Sequence, residues 1–143
     1  MKVKIKKLFP DAVIPTYAHP GDAGMDLVAH SYEYDKEHDC FVYGTGISIE
    51  PPEGYVTLLF PRSSNKKTEC YLANHVGVVD QTYRGEIKMV YKNRDHNYLS
   101  KPYNVGDRIG QMLILPYPQI EFEEVEDLNN TDRGSGGFGS TGN

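Results

Sequence analysis

Short apolar runs separated by turn-forming residues make up most of the chain, and their pattern is that of strands. Lys2–Leu8 alternates lysine with Val, Ile and Leu, as an edge or swapped strand does. Ala23-Gly24-Met25-Asp26-Leu27 leads into a strand that runs to about Tyr34, and Asp35–Asp39 is a charged turn. Cys40–Glu50 reads as a strand interrupted at Gly44 and Gly46, and Pro51-Pro52-Glu53-Gly54 as a turn. Tyr55–Phe60 is a continuous apolar strand. The polar Asn65–Glu69 fits a short helix or a loop equally well. Asn74–Asn93 has two apolar arms, Val76–Val79 and Glu86–Tyr91, around the polar centre Asp80–Gly85. This predicts a β-hairpin, with Gly85 supplying the positive φ that a tight reversal needs. Ile109–Tyr117 and Ile120–Val125 are the last expected strands, the second with outward acids.

About nine or ten short strands and at most one short helix result. The expected fold is all-β, a distorted antiparallel barrel or a jelly-roll-like arrangement. Residues 1–126 form this body. From Asp127 onward the character changes: residues 133–142 hold five glycines and one hydrophobe, Phe138. Such a segment forms no core of its own and reads as a flexible arm.

Composition narrows the chemistry. A chain of 143 residues suits one domain. A formal net charge of −5 argues against non-specific nucleic-acid binding, which needs a basic face. An anionic ligand therefore requires positive charge concentrated locally. Two cysteines, Cys40 and Cys70, provide neither a disulfide framework nor metal spacing, and suit buried thiols in a reducing compartment. No apolar run approaches the ~18 residues of a membrane span, and the lysine-rich start lacks an apolar signal core, so a cytoplasmic protein is expected. The histidines show no metal-ligand pattern. His75 beside Asn74 suits packing or exposure as well as a binding pocket.

Five stretches carry groups suited to chemistry: Asp26 in AGMDL, Arg62-Ser63-Ser64 after an apolar strand, Asp80 and Tyr83 between the two arms, Gln111 in GDRIGQ, and Arg133 and Phe138 in the tail. Singly, each has an ordinary reading as a cap, a turn, a solvated loop or a satisfied strand residue. A Gly/Ser-rich arm with an arginine also makes a fair polyphosphate wrap, and a lone Phe can stack on a base.

In this order, AGMDL at 23–27, PRSS at 61–64, GVVDQTYRG at 77–85, GDRIGQ at 106–111 and RGSGGFGSTG at 133–142 resemble the five motifs of the homotrimeric dUTP pyrophosphatases. The resemblance spans nearly the whole chain. It implies a β-clip, dUTPase-like fold and hydrolysis of dUTP to dUMP and pyrophosphate, which lowers dUTP and supplies the precursor of dTMP. It implies Asp80 as the general base for the water that attacks the α-phosphorus. Tyr83 becomes the platform under deoxyribose, leaving no room for a 2′-hydroxyl. Asn74 and the backbone of Gly77, Val78 and Val79 read uracil, with Lys88 as a further contact. Arg62, Ser63, Ser64 and Gln111 contact phosphates. Asp26 holds a water on a substrate-bound Mg²⁺. Arg133 clamps the γ-phosphate, Phe138 closes over uracil, and Gly139, Ser140 and Thr141 add phosphate contacts. The family's sites are shared among three subunits, so the implied partners are dUTP or dUMP and two further copies of the chain, without nucleic acid or membrane. The implied location is a bacterial cytosol or that of a phage-infected host.

Two positions depart from the usual motifs. Ser64 stands where glycine is usual, which matters if that position needs positive φ or close phosphate approach. Gly110 stands where alanine is common. Other readings of the chain are a dCTP deaminase of the same fold, a regulatory module on this fold that signals through protein contacts, and a generic β-sandwich interaction module. An incomplete tail would favour the first and large inserts the second; neither feature is present in the sequence. The third leaves the ordered motifs unexplained.

Overall fold

Alternation of apolar and polar side chains becomes a set of antiparallel ladders in the computed structural model, which describes residues 1–94 and 99–137. Its strands are β1 (Lys4–Lys7), β2 (Met25–Val28), β3 (Ser31–Asp35), β4 (Cys40–Gly44), β5 (Ile47–Glu50), β6 (Tyr55–Phe60), β7 (Cys70–Leu72), β8 (Gly77–Val79), β9 (Lys88–Asn93) and β10 (Arg108–Pro116). A single 3-10 turn, Ser63–Lys67, is the one helical element among the described residues. No helix among them is long and apolar enough to cross a membrane.

Three sheets form: β1-β5, β2-β10-β6-β8 and β3-β4-β9-β7, with every pairing antiparallel. The fold is all-β as expected, but the described strands do not close into a barrel. The two four-stranded sheets enclose a shared core that includes Leu27, Phe41, Tyr43, Leu59, Ile87, Tyr91, Ile109 and Met112. Cys40 and Cys70 are buried and form no disulfide, and Cys70 Sγ donates to the Ser100 carbonyl at 3.7 Å.

Three expectations are corrected. Val76–Val79 and Glu86–Tyr91 are not the arms of a hairpin. β8 pairs with β6 and β9 pairs with β4 and β7, so the chain crosses from one sheet to the other between them. Both arms are apolar enough to pair with anything, and their partners lie far away in sequence. β7, at Cys70–Leu72, is a short strand in residues that the pattern assigned to no element. Ile120–Val125 forms no strand: Ile120 is 70% exposed and Phe122 92% exposed, and no element packs on them. Alternation alone does not make a strand where no ladder partner is at hand.

Three tyrosines stack edge-to-face inside the core, Tyr43, Tyr91 and Tyr103, with centroids 5.3–6.2 Å apart. Their hydroxyls are kept in the interior by hydrogen bonds: Tyr43 Oη donates to the Tyr103 carbonyl at 2.9 Å and Tyr91 Oη to the Ile109 carbonyl at 2.5 Å. Tyr103 Oη donates to Asn65 Oδ1 at 3.0 Å and so ties the 3-10 turn to the core. Burial pushes the pKa of all three hydroxyls above the ordinary tyrosine value. A raised folded-state pKa makes the stabilisation complete below the unfolded tyrosine value, ~10, and loses it as pH rises further. The free energy of urea unfolding, measured from pH 8 upward, is therefore expected to fall above about pH 10, with a shallower fall in Tyr91→Phe.

Candidate active site

Two clefts gather the residues expected to carry chemistry, and the ladders explain the grouping. In the sheet containing β6, Gln111 on β10 stands opposite both Asp26 on β2 and Phe60 on β6. One row of the sheet thus brings AGMDL and GDRIGQ beside the segment that leaves β6 as Pro61-Arg62-Ser63. A cleft of about 750 Å³ opens there, lined by Asp26, Arg62, Ser63, Arg108 and Gln111 among others. On the far side of β6, β8 pairs as Leu59↔Gly77, Leu58↔Val78 and Thr57↔Val79. A second cleft, about 230 Å³, is lined there by Asn74, Gly77, Val78, Val79, Asp80, Tyr83 and Lys88, together with Leu59, Glu86 and Ile87. The two clefts share no lining residue.

The larger cleft is organised by one carboxylate. Asp26 Oδ1 accepts from Arg62 Nε at 2.9 Å, and Oδ2 accepts from Arg108 Nη1 at 3.1 Å. Asp26 and Arg62 are largely buried at their side chains, while Arg108 is 54% exposed. The carboxylate holds two guanidiniums at one place in a chain whose net charge is −5; Asp22 also lines the cleft, so what it offers an anion is a set of directed N–H donors rather than an excess of positive charge. Gln111 Nε2 reaches the Pro61 carbonyl at 3.4 Å. Arg108 escaped the sequence reading; its place in the GDRIG turn gave no signal beyond its charge.

The smaller cleft is a mixed wall. Val78 is 65% exposed and Tyr83 47% exposed, so both present apolar surface to solvent. Asp80 is exposed, and its carbonyl accepts the Tyr83 N–H at 3.0 Å, closing a turn that sets carboxylate and ring on the same loop. Glu86 anchors the loop's far end: Oε1 accepts the Gly46 N–H at 2.8 Å, and Oε2 lies 3.7 Å from Lys88 Nζ. His75 does not line this cleft; it adopts φ 61° in the turn before β8 and its ring sits edge-on to Tyr71. Gly85 does not adopt positive φ, contrary to the expectation for a tight reversal.

The whole-chain comparisons agree on one family. The dUTPase family model matches residues 11–142. The chain belongs to the dUTPase family. It is 41% identical over 145 residues to the deoxyuridine 5′-triphosphate nucleotidohydrolase of Thermobifida fusca, covering 99% of this chain and 79% of that protein. Its fold is similar to that of a Staphylococcus bacteriophage 80alpha dUTPase variant with dUpNHpp, with a TM-score of 0.78 and 25% identity over 99% of this chain and 98% of that one. It is also similar to a variant of the dUTPase of phage phi11 of S. aureus, described for its structural Mg(II) ion, with a TM-score of 0.73 and 24% identity over 89% and 98% of the two chains. Family membership makes the chain a dUTP diphosphatase, an enzyme that hydrolyses dUTP to dUMP and pyrophosphate.

Both departures from the dUTPase motifs have local explanations. Ser64 lies in the 3-10 turn without positive φ, so this backbone makes no demand for glycine, and its Oγ lies 3.4 Å from Arg62 Nη1. A side chain on Gly110 would meet Met89 Sδ at 2.2 Å, so Met89 fills the space that an alanine there would take. The described part of the tail reaches neither cleft: Arg133 Nε donates to the Gly136 carbonyl at 2.9 Å, within its own turn. Phe138, Gly139, Ser140 and Thr141 lie outside the described residues.

Asp26→Asn removes the charge that both guanidiniums share and leaves them facing each other. It is expected to cost about 1–3 kcal/mol in denaturant unfolding, whereas Arg108→Gln, at the exposed end, should cost under about 1 kcal/mol. Equal costs would mean that the pair with Arg108, not that with Arg62, carries most of the stabilisation.

Proposed function

We propose that this chain hydrolyses dUTP in sites assembled from three copies, each copy contributing its two clefts and its tail to different sites. The observation that supports this most is the division of the motifs within one chain. Asp80, Tyr83 and Asn74 line one cleft, Asp26, Arg62, Ser63 and Gln111 line the other, and Arg133 stands clear of both. A nucleoside triphosphate needs all of these groups at once. A closed threefold ring, in which the base-reading cleft of one copy faces the arginine-bearing cleft of the next, supplies them.

In this reading uracil lies in the smaller cleft against the backbone of Gly77, Val78 and Val79 and the side chain of Asn74, with Lys88 at its edge. Hydrogen bonds there select uracil over cytosine, because a wrong base leaves a donor or acceptor unpaired. The Tyr83 ring packs under deoxyribose. The triphosphate, with roughly four negative charges, passes to the neighbour's Arg62, Ser63, Ser64 and Gln111. The tail of a third copy closes over it, with Arg133 on the γ-phosphate, Phe138 over the base, and Gly139, Ser140 and Thr141 on phosphate oxygens. Asp80 accepts a proton from a water held in line with the α-phosphorus, which bonds to that water's oxygen as the bond to the leaving pyrophosphate breaks.

Among the described residues no group of three or more His, Cys, Asp or Glu side chains is placed to hold a metal. The donors fit an ion carried by the substrate's phosphates. Asp26 has spent one lone pair of each oxygen on an arginine and keeps others for a water on Mg²⁺. When bound, such an ion neutralises phosphate charge.

Pyrophosphate release from dUTP, dCTP, dTTP and UTP in the presence of Mg²⁺ tests the reading; turnover confined to dUTP is expected, and none by a folded trimer would sink it. Asp80→Asn should lower kcat by about 10²–10⁴ while a non-hydrolysable dUTP analogue still binds. Removing residues 133–143 should leave the oligomer intact by light scattering and abolish most of the activity. An unimpaired truncated enzyme would take the tail out of the mechanism.

A further inference from the structure

We infer that Gly85 is a specificity-determining residue: the missing side chain at this position, with the carbonyl of Glu86, forms a seat that holds the Tyr83 ring in the small cleft. This rests on the reading of Tyr83 as the group that excludes a 2′-hydroxyl. A half-exposed tyrosine on a loop has alternative rotamers and discriminates poorly unless something fixes it. Here Tyr83 Oη donates to the Glu86 carbonyl at 3.2 Å, and the hydroxyl end of the ring lies against Gly85. A Cβ at position 85 would stand 2.2 Å from Tyr83 Oη, 2.4 Å from Cζ and 2.9 Å from Cε2. The hydroxyl end of the ring must move from its present position to admit it.

The requirement is one of space alone. Gly85 does not use positive φ, so an alanine is compatible with the backbone. The loop is also braced without the ring. Arg84 Nη1 donates to the carbonyls of Gln81 at 2.6 Å and Tyr83 at 3.0 Å, and Ser48 Oγ donates to the Arg84 carbonyl at 2.7 Å. Glu86 is tied to Gly46 by a bond of 2.8 Å. Adding one methyl group at position 85 therefore displaces the hydroxyl end of the ring from the Glu86 carbonyl and leaves Asp80, five residues earlier, on a supported turn.

The test is a double-mutant cycle on substrate choice. The ratio of kcat/KM for dUTP over UTP is measured for the wild-type oligomer, Gly85→Ala, Tyr83→Ala and the double variant. Gly85→Ala is expected to lower the ratio by about 10-fold or more, and adding it to Tyr83→Ala should change the ratio by less than about 2-fold, because the group it acts through is gone. Tyr83→Phe keeps Gly85 and removes only the bond to Glu86; it should lower the ratio by a smaller factor, about 3-fold, and it serves if Gly85→Ala does not assemble. A Gly85→Ala ratio equal to that of wild type, additive effects in the cycle, or an unchanged ratio in Tyr83→Phe where Gly85→Ala does not assemble, overturns the seat. A wild-type enzyme without preference for dUTP, or a Tyr83→Ala variant that keeps it, overturns instead the role of Tyr83 on which the seat depends.

Discussion

Strand β6 is paired on both edges, and both clefts hang from it. Along one edge Tyr55–Phe60 runs against Gln111–Pro116 of β10, and along the other Thr57–Leu59 runs against Gly77–Val79 of β8. Successive residues of a strand face opposite sides of the sheet. Leu59 therefore backs the smaller cleft while its neighbour Phe60 lines the larger one. A shift of one residue in either ladder would exchange these faces and bury the polar walls of the clefts. The buried Leu59 and Thr57, with Ile109 and Met112 of β10, oppose such a shift.

The clefts differ in kind because different physics holds them. The larger is electrostatic: one carboxylate binds two arginines and fixes where their remaining N–H donors stand. The smaller is steric and directional, with exposed apolar side chains, a bare strand edge and a tyrosine seated against a residue without a side chain. A polyphosphate and an uncharged base ask for these two environments, and a single strand keeps them apart within one copy. Their meeting is left to a neighbouring copy in the reading proposed above.

Much of this was legible beforehand where the signal is local. Tyr55–Phe60 is an uninterrupted apolar run between Pro-rich turns, and its bounds were read off directly. By its sequence Asn65–Glu69 fits a helix and a loop equally well, and the 3-10 turn at Ser63–Lys67 is a structure between the two. The supposed hairpin failed for a physical reason: two apolar arms around a turn-prone centre say that both are strands, but pairing is decided by which edges lie free nearby. Arg108 carries no local signal, and Gly85 signals only a turn, because their importance is relational. An arginine in a turn gains a role only when Asp26 stands within 3.1 Å of it, and a glycine only when a ring occupies the space of its absent side chain.

What the sequence determined by itself was the class of fold and, through its ordered motifs, the family. Both are written in residue order: period-two alternation with frequent Pro and Gly dictates short strands, and the ordered motifs carry a particular set of acids, arginines and aromatics. The tertiary structure alone decided that β8 and β9 belong to different sheets, that Asp26 spends both its oxygens on arginines, and that the motifs divide between two clefts that share no residue. These are long-range matters. Strand partners, ion pairs and close steric approach depend on distances between residues far apart in the chain, and local pattern constrains those only through the packing of the whole core.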